Sequence, residues 1–199
     1  MSKANSKLKT PIGCLFVRGL RVVLPLLLLL TAVGAQAASF HIHDVQIRKF
    51  KDEYRLSARI DYLLSDEAHE ALSNGVPLTL RVQLAVEKVQ RGFWEPSPLT
   101  KTLWFQIRYH ALTELYRVVD RQTGEEQSFV TQDAALYALG EINDLPLVKL
   151  DELVPGESYD LRLRADLDVE SLPLPLQPLA YLGRGWKLSS GWSKWPLQP

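Results

Sequence analysis

His41 and His43 stand two positions apart in Ser39-Phe-His-Ile-His-Asp44. In an extended chain such a pair projects to one side, opposite Phe40 and Ile42. Two imidazoles on one face can share Zn²⁺ or Cu²⁺, provided a third ligand completes the site. Asp44 is close, but it lies on the wrong side unless a bulge turns it. The other reading makes both histidines exposed polar residues near a new N-terminus, and that is the expectation adopted: no metal and no cofactor. His69 and His110 are isolated and expected at the surface.

Other chemistry has less to build on. Ser189-Ser190 has no histidine near it in sequence, so a nucleophile and base would have to be assembled in space. The chain contains no G-x-S-x-G elbow, no H-E-x-x-H helix and no phosphate-cradling glycine loop. Asp151-Glu152 and Glu125-Glu126 are consecutive; they diverge on a strand and are ordinary solvated charge in a turn. Arg162, Arg164, Asp166 and Asp168 alternate with apolar residues and are expected as a solvated strip of cross-strand ion pairs. Four tryptophans, Trp94, Trp186, Trp192 and Trp195, are the candidate binding surface. Indoles can anchor a partner or stack on a sugar. The three near the C-terminus can equally close the open end of a β-structure, which is the preferred expectation for them.

The elements that must position these residues begin after an export segment. Lys3, Lys7, Lys9, Arg18 and Arg21 precede an apolar run from Val22 to Val33, and Ala35-Gln-Ala37 follows. A basic front, a short apolar core and A-x-A predict a secretory signal peptide over residues 1–37, cleaved after Ala37. The apolar core is about a dozen residues, short for a hydrocarbon layer of ~30 Å. The alternative is an uncleaved inner-membrane anchor facing the periplasm. Cys14 precedes the apolar core, which does not suit a lipoprotein.

Cleavage would leave 162 residues, enough for one domain with its own core. All 23 acidic residues lie beyond residue 37 and five of the 23 basic ones before it, so residues 38–199 carry a formal charge of −5. A mildly acidic surface argues against nucleic acid as the main partner. Cys14 is the one cysteine, so residues 38–199 carry no disulfide, thiol chemistry or Cys-ligated metal.

The chain from Ser39 alternates. Phe40 and Ile42 share a face and so do Val45 and Ile47; the parity changes at His43-Asp44, which predicts a β-bulge there. Tyr54 to Leu64, Leu78 to Val86, Leu103 to Tyr109 and Tyr159 to Val169 each show period two. Leu115 to Asp120 and Glu125 to Val130 predict a hairpin turning at Gly124. Ser65 predicts an N-cap for a short helix over 66–74, stopped by Asn74-Gly75 and Pro77. Thr131 predicts a second helix cap, with Ala135, Ala138, Leu139 and Ile142 on one side. Arg91-Gly92, Pro96 and Pro98 predict a loop carrying Phe93 and Trp94. Leu172-Pro-Leu-Pro-Leu-Gln-Pro-Leu179 predicts polyproline-II or irregular edge structure. About seven strands, each apolar on one face, predict an immunoglobulin-like two-sheet β-sandwich with two short helices in its connections. A partly open β-barrel is the alternative. The segment 171–199 is a Pro-rich, Trp-containing C-terminal strap on the single domain 38–199.

Tyr54-x-Leu-x-Ala58, Glu70-Ala-Leu-x-x-Gly-Val-Pro-Leu78, Leu161-Arg-x-Arg164 and Leu188-Ser-Ser-Gly-Trp192-x-x-Trp-Pro-Leu197 resemble the proteobacterial domain-of-unknown-function 4390 family. The resemblance covers nearly all of the chain after residue 37. Its specific parts are the helix-to-strand segment and the tail. The family name implies no activity. Its members resemble exported proteins often encoded beside a membrane sensor kinase, which implies envelope signalling. The expectation for function is therefore a non-enzymatic periplasmic accessory protein that binds another envelope protein, with the sensing portion of a membrane kinase as a candidate. An envelope module for glycan or peptide is the alternative, and a hydrolase with an unrecognised site is third.

Overall fold

Alternation of apolar and polar side chains dictates the backbone throughout. The computed structural model describes residues 39–89 and 99–197; the predicted signal peptide, Cys14 and the loop with Phe93 and Trp94 lie outside them. Nine strands form among the described residues: β1 Phe40–Phe50, β2 Glu53–Tyr62, β3 Leu78–Lys88, β4 Leu99–His110, β5 Leu115–Asp120, β6 Glu126–Phe129, β7 Glu141–Lys149, β8 Tyr159–Leu167 and β9 Ser193–Leu197. They pair antiparallel in two sheets, β1-β2-β7 and β6-β5-β4-β3-β8-β9.

That order is the immunoglobulin arrangement. β1, β2 and β7 stand where strands A, B and E pair, and β3, β8 and β9 where C, F and G pair. β4, β5 and β6 widen the second sheet beyond C. Neither sheet closes on itself, so the sandwich forms and not the partly open barrel.

One hydrophobic cluster fills the space between the layers. Leu56 and Ile60 of β2 face Leu80, Val82, Leu84 and Val86 of β3 and Leu161 and Leu163 of β8, all almost without solvent contact. Every one sits at an apolar position of a period-two strand. The parity change in β1 is a bulge: the register with β2 shifts between His43 and Gln46, and Asp44 takes a left-handed backbone with φ 51°.

Two helices lie where their caps predict. α1, Asp66–Ser73, is capped by the Ser65 hydroxyl, which accepts from the Ala68 N–H at 3.2 Å. α2, Gln132–Leu139, is capped in the same way by Thr131 through the Ala134 N–H at 3.2 Å. It buries Ala135, Leu136 and Leu139. Ile142 does not share that helical face, because the helix stops at Gly140 and Ile142 belongs to β7. A Cβ on Gly140 would overlap the Ile60 carbonyl oxygen, and that close approach lets the chain turn from α2 directly onto β2.

The strap departs most from the sequence expectation. Leu172 is buried, and the chain then winds into α3, Gln177–Leu182, with Pro178 in its first turn where a missing N–H costs nothing. The Gln177 side-chain amide donates to the Glu170 and Leu172 carbonyls at 2.8 and 2.9 Å, tying the helix start to the preceding turn. Leu188 to Ser190 and then β9 extend the edge of β8. Pro196 is tolerated there because β9 is an edge strand.

Candidate functional site

The histidines lie on the outward side of β1. His41 is exposed, and its Nδ1 is 3.2 Å from Ser39 Oγ. At His43 the bulge does turn Asp44: Nδ1 is 2.8 Å from Asp44 Oδ2, and Nε2 is 3.1 Å from Asp61 Oδ2 on β2. A carboxylate at each ring nitrogen favours the imidazolium, and the His43 pKa is raised above 6.5, first by the Asp61 contact and then by that with Asp44. A metal ligand needs a free nitrogen lone pair, and here each nitrogen faces an anion. Among the described residues no group of three or more His, Cys, Asp or Glu is arranged to hold a metal ion.

The raised pKa carries a sign. Ionised His43 stabilises the fold fully below pH 6.5, and that contribution disappears as pH rises through the folded-state value. The three side chains are substantially exposed, so the gain is small and screened by salt. An NMR titration should place the His43 midpoint above 6.5, and Asp61→Asn should lower it. A wild-type midpoint at or below 6.5 would remove the double clamp.

Chain folding brings His41 beside Ser189 and Ser190 at an open pocket of about 290 Å³ between the strand edges. The hydroxyls serve the backbone. Ser190 Oγ accepts from the Ala165 N–H at 3.0 Å and donates to the Gly191 carbonyl at 2.8 Å. Ser189 Oγ accepts from the Gly191 N–H at 3.1 Å and from Arg164 Nε at 3.3 Å. Among the described residues no hydrogen bond joins His41 to either serine. These contacts pin the tail to β8.

The outward face of the six-stranded sheet is richer. Arg81 pairs in register with Trp104 on one side and Asp166 on the other. Its Nε donates to Asp166 Oδ1 at 2.9 Å, while Arg164 Nε lies 3.1 Å from Oδ2. Asp166 and Asp168 are both buried, which corrects the expectation of a solvated strip. Arg162 instead bonds Glu87 at 2.8 Å and lies 4.6 Å from the Trp192 ring centre. Two arginine–tryptophan contacts thus stand on one face, since Arg81 lies 5.5 Å from the Trp104 ring centre. Burial, and then the charge of Asp166, pushes the Tyr62 phenol up, so it stays protonated beneath this network. Beside the network opens a cleft of about 400 Å³ lined by Thr79, Trp104, Gln106, Arg121, Asp168 and Ser171.

The structure separates the C-terminal tryptophans. Trp186 is core, 7% exposed. Trp195 is half-buried against the core and lines a cleft of about 330 Å³ with Val45, Ile47, Lys49, Tyr54 and Pro196. Trp192 is exposed over Arg162. Trp94 lies outside the described residues. Sequence reasoning missed the largest apolar exposure of the strap. Leu174, Leu179, Tyr181 and Leu182 are 78, 64, 54 and 86% exposed. No local period signalled this, because Leu172 lies in extended backbone before α3 and within α3 Ala180 is the buried residue.

These features define an immunoglobulin-like sandwich carrying a polar, arginine- and tryptophan-bearing sheet face and an apolar strap. The chain belongs to the family described as Domain of unknown function (DUF4390), whose model matches residues 37–196. No curated protein and no solved structure matches it.

Proposed function

We propose that the chain is a non-enzymatic periplasmic accessory protein that docks on another envelope protein through its C-terminal strap. The observation that carries this reading is the exposure of four large apolar side chains within residues 174–182. Apolar groups concentrated on one surface element mark an interaction site, and leucine and tyrosine side chains can seat in a partner's pockets. α3 is tied at its start by Gln177 and anchored through buried Ala180, so it presents Leu179 and Leu182 on a fixed element. A preordered element loses little entropy on binding. The A-x-A leader supports export, and the net charge of −5 on residues 38–199 sets nucleic acid aside. The partner of choice is the extracytoplasmic sensing portion of a membrane kinase.

The test uses the full chain, tagged after Pro199 and expressed in its own cells. Wild type should retain a membrane protein with an extracytoplasmic domain, and Leu179→Glu/Leu182→Glu should lose it. Both positions are exposed, so the double variant should melt within about 0.5 kcal/mol per site of wild type. Retention of the same protein by the variant, or no enriched membrane protein, would overturn the strap as the docking element.

A further inference from the structure

We infer that the cleft on the outward face of the six-stranded sheet is a binding site for a neutral saccharide, a ligand separate from the protein partner of the strap. The cleft holds about 400 Å³, within the usual range for small-ligand sites of ~300–1,000 Å³. Its lining combines one indole with five polar side chains. A sugar ring offers a flat C–H face and a rim of hydroxyls that both donate and accept. Trp104 supplies an apolar plane, and its own position is fixed by pairing with Arg81.

Asp168 carries the argument. Its residue is 8% exposed, no side chain or N–H among the described residues donates to its carboxylate, and its oxygens are not sealed from solvent, so they open to the cleft. Its backbone is fully used: the N–H donates to the Thr79 carbonyl at 2.8 Å, and its carbonyl accepts from Ser171 Oγ at 2.9 Å. The main chain is thus held while the carboxylate stays available. A carboxylate that faces the cleft without a protein donor is free to accept from two vicinal hydroxyls. Arg121, just after β5, adds donors to the same cleft, its backbone N–H fixed to the Trp104 carbonyl at 2.8 Å. Gln106 and Thr79 supply both donors and acceptors.

The charge balance selects a neutral ligand. Asp168 and Arg121 are opposite in sign, neither forms an ion pair among the described residues, and together they cancel. A ligand with net charge of either sign meets one of them as a like charge. The neighbouring Asp166 is ion-paired with Arg81 and Arg164 and does not line the cleft.

The test is a titration of the full chain, followed by tryptophan emission and calorimetry, with maltotetraose, cellotetraose and chitotetraose as probes. Free glutamate and free lysine serve as charged controls. At least one oligosaccharide should saturate and change the emission. Asp168→Asn should weaken that binding about tenfold or more, the usual consequence of removing a charge-assisted hydrogen bond, with an unchanged melt. Gln106→Ala provides a second, fold-neutral variant and should also weaken it. Failure of all three oligosaccharides to saturate, binding unchanged in both variants, or saturation by glutamate or lysine instead would each overturn the assignment. The strap variant Leu179→Glu/Leu182→Glu should bind the sugar as wild type does, so the two sites fail or stand independently.

Discussion

A chain ending at Leu188 should melt far below wild type or fail to accumulate. That truncation removes the Ser189-Ser190 contacts to β8 and the whole of β9. β9 pairs Ser193, Trp195 and Leu197 with Leu163, Leu161 and Tyr159, so its loss opens the edge of a central core strand. Leu197 is buried and Trp195 is packed against the core. Burying a large apolar side chain is worth roughly 1.5–3 kcal/mol, and the two together are a large part of a total of about 5–15 kcal/mol. At about 2–4 °C per kcal/mol for a domain of this size, the midpoint should fall by roughly 10 °C or more. Trp192 is the exposed indole of the pair, so Trp192→Phe should remove red-shifted emission and leave the midpoint nearly in place. A truncated chain that melts with wild type would make the tail a tether and not part of the fold.

Leu163→Ala should cost roughly 2–5 kcal/mol in urea melts, the range for a leucine deleted from a packed core. Leu163 has no solvent exposure and lies opposite Leu84 on β3 and Ser193 on β9, so neighbours on both strands limit collapse into the cavity. Arg162→Ala, one residue earlier, should cost about 1 kcal/mol or less despite its contacts with Glu87 and Trp192, because that pair remains partly hydrated. Equal effects at the two positions would contradict the register of β8.

Much of the fold was legible because the strands obey period two and the helices carry their own caps. Tyr54 to Tyr62 and Tyr159 to Leu167 needed no tertiary information. Even the bulge at His43-Asp44 was written in the parity of Phe40, Ile42, Val45 and Ile47. β7 was hidden because Asn143-Asp-Leu-Pro146 reads as a turn. Asp144 does take φ 50°, and the ladder with β2 slips around it, but the edge position tolerates both the slip and the proline. β9 was hidden by its five-residue length and by Pro196. The burial of Asp166 could not be read from β8 alone, because Arg81 from β3 and the Ser189 segment from the tail cover it. The cleft was invisible for the same reason. Trp104 and Gln106 are two apart on β4, but Thr79, Arg121 and Asp168 come from three other segments of the chain.

The docking role of the strap is tested most directly by photo-crosslinking in living cells. A benzophenone amino acid replaces Leu182, and the control replaces Leu112, a still more exposed leucine in the turn between β4 and β5. Light should produce one discrete adduct from position 182, joining the chain to a membrane protein with an extracytoplasmic domain, and none from position 112. No adduct at 182, or the same adduct from both positions, would contradict it.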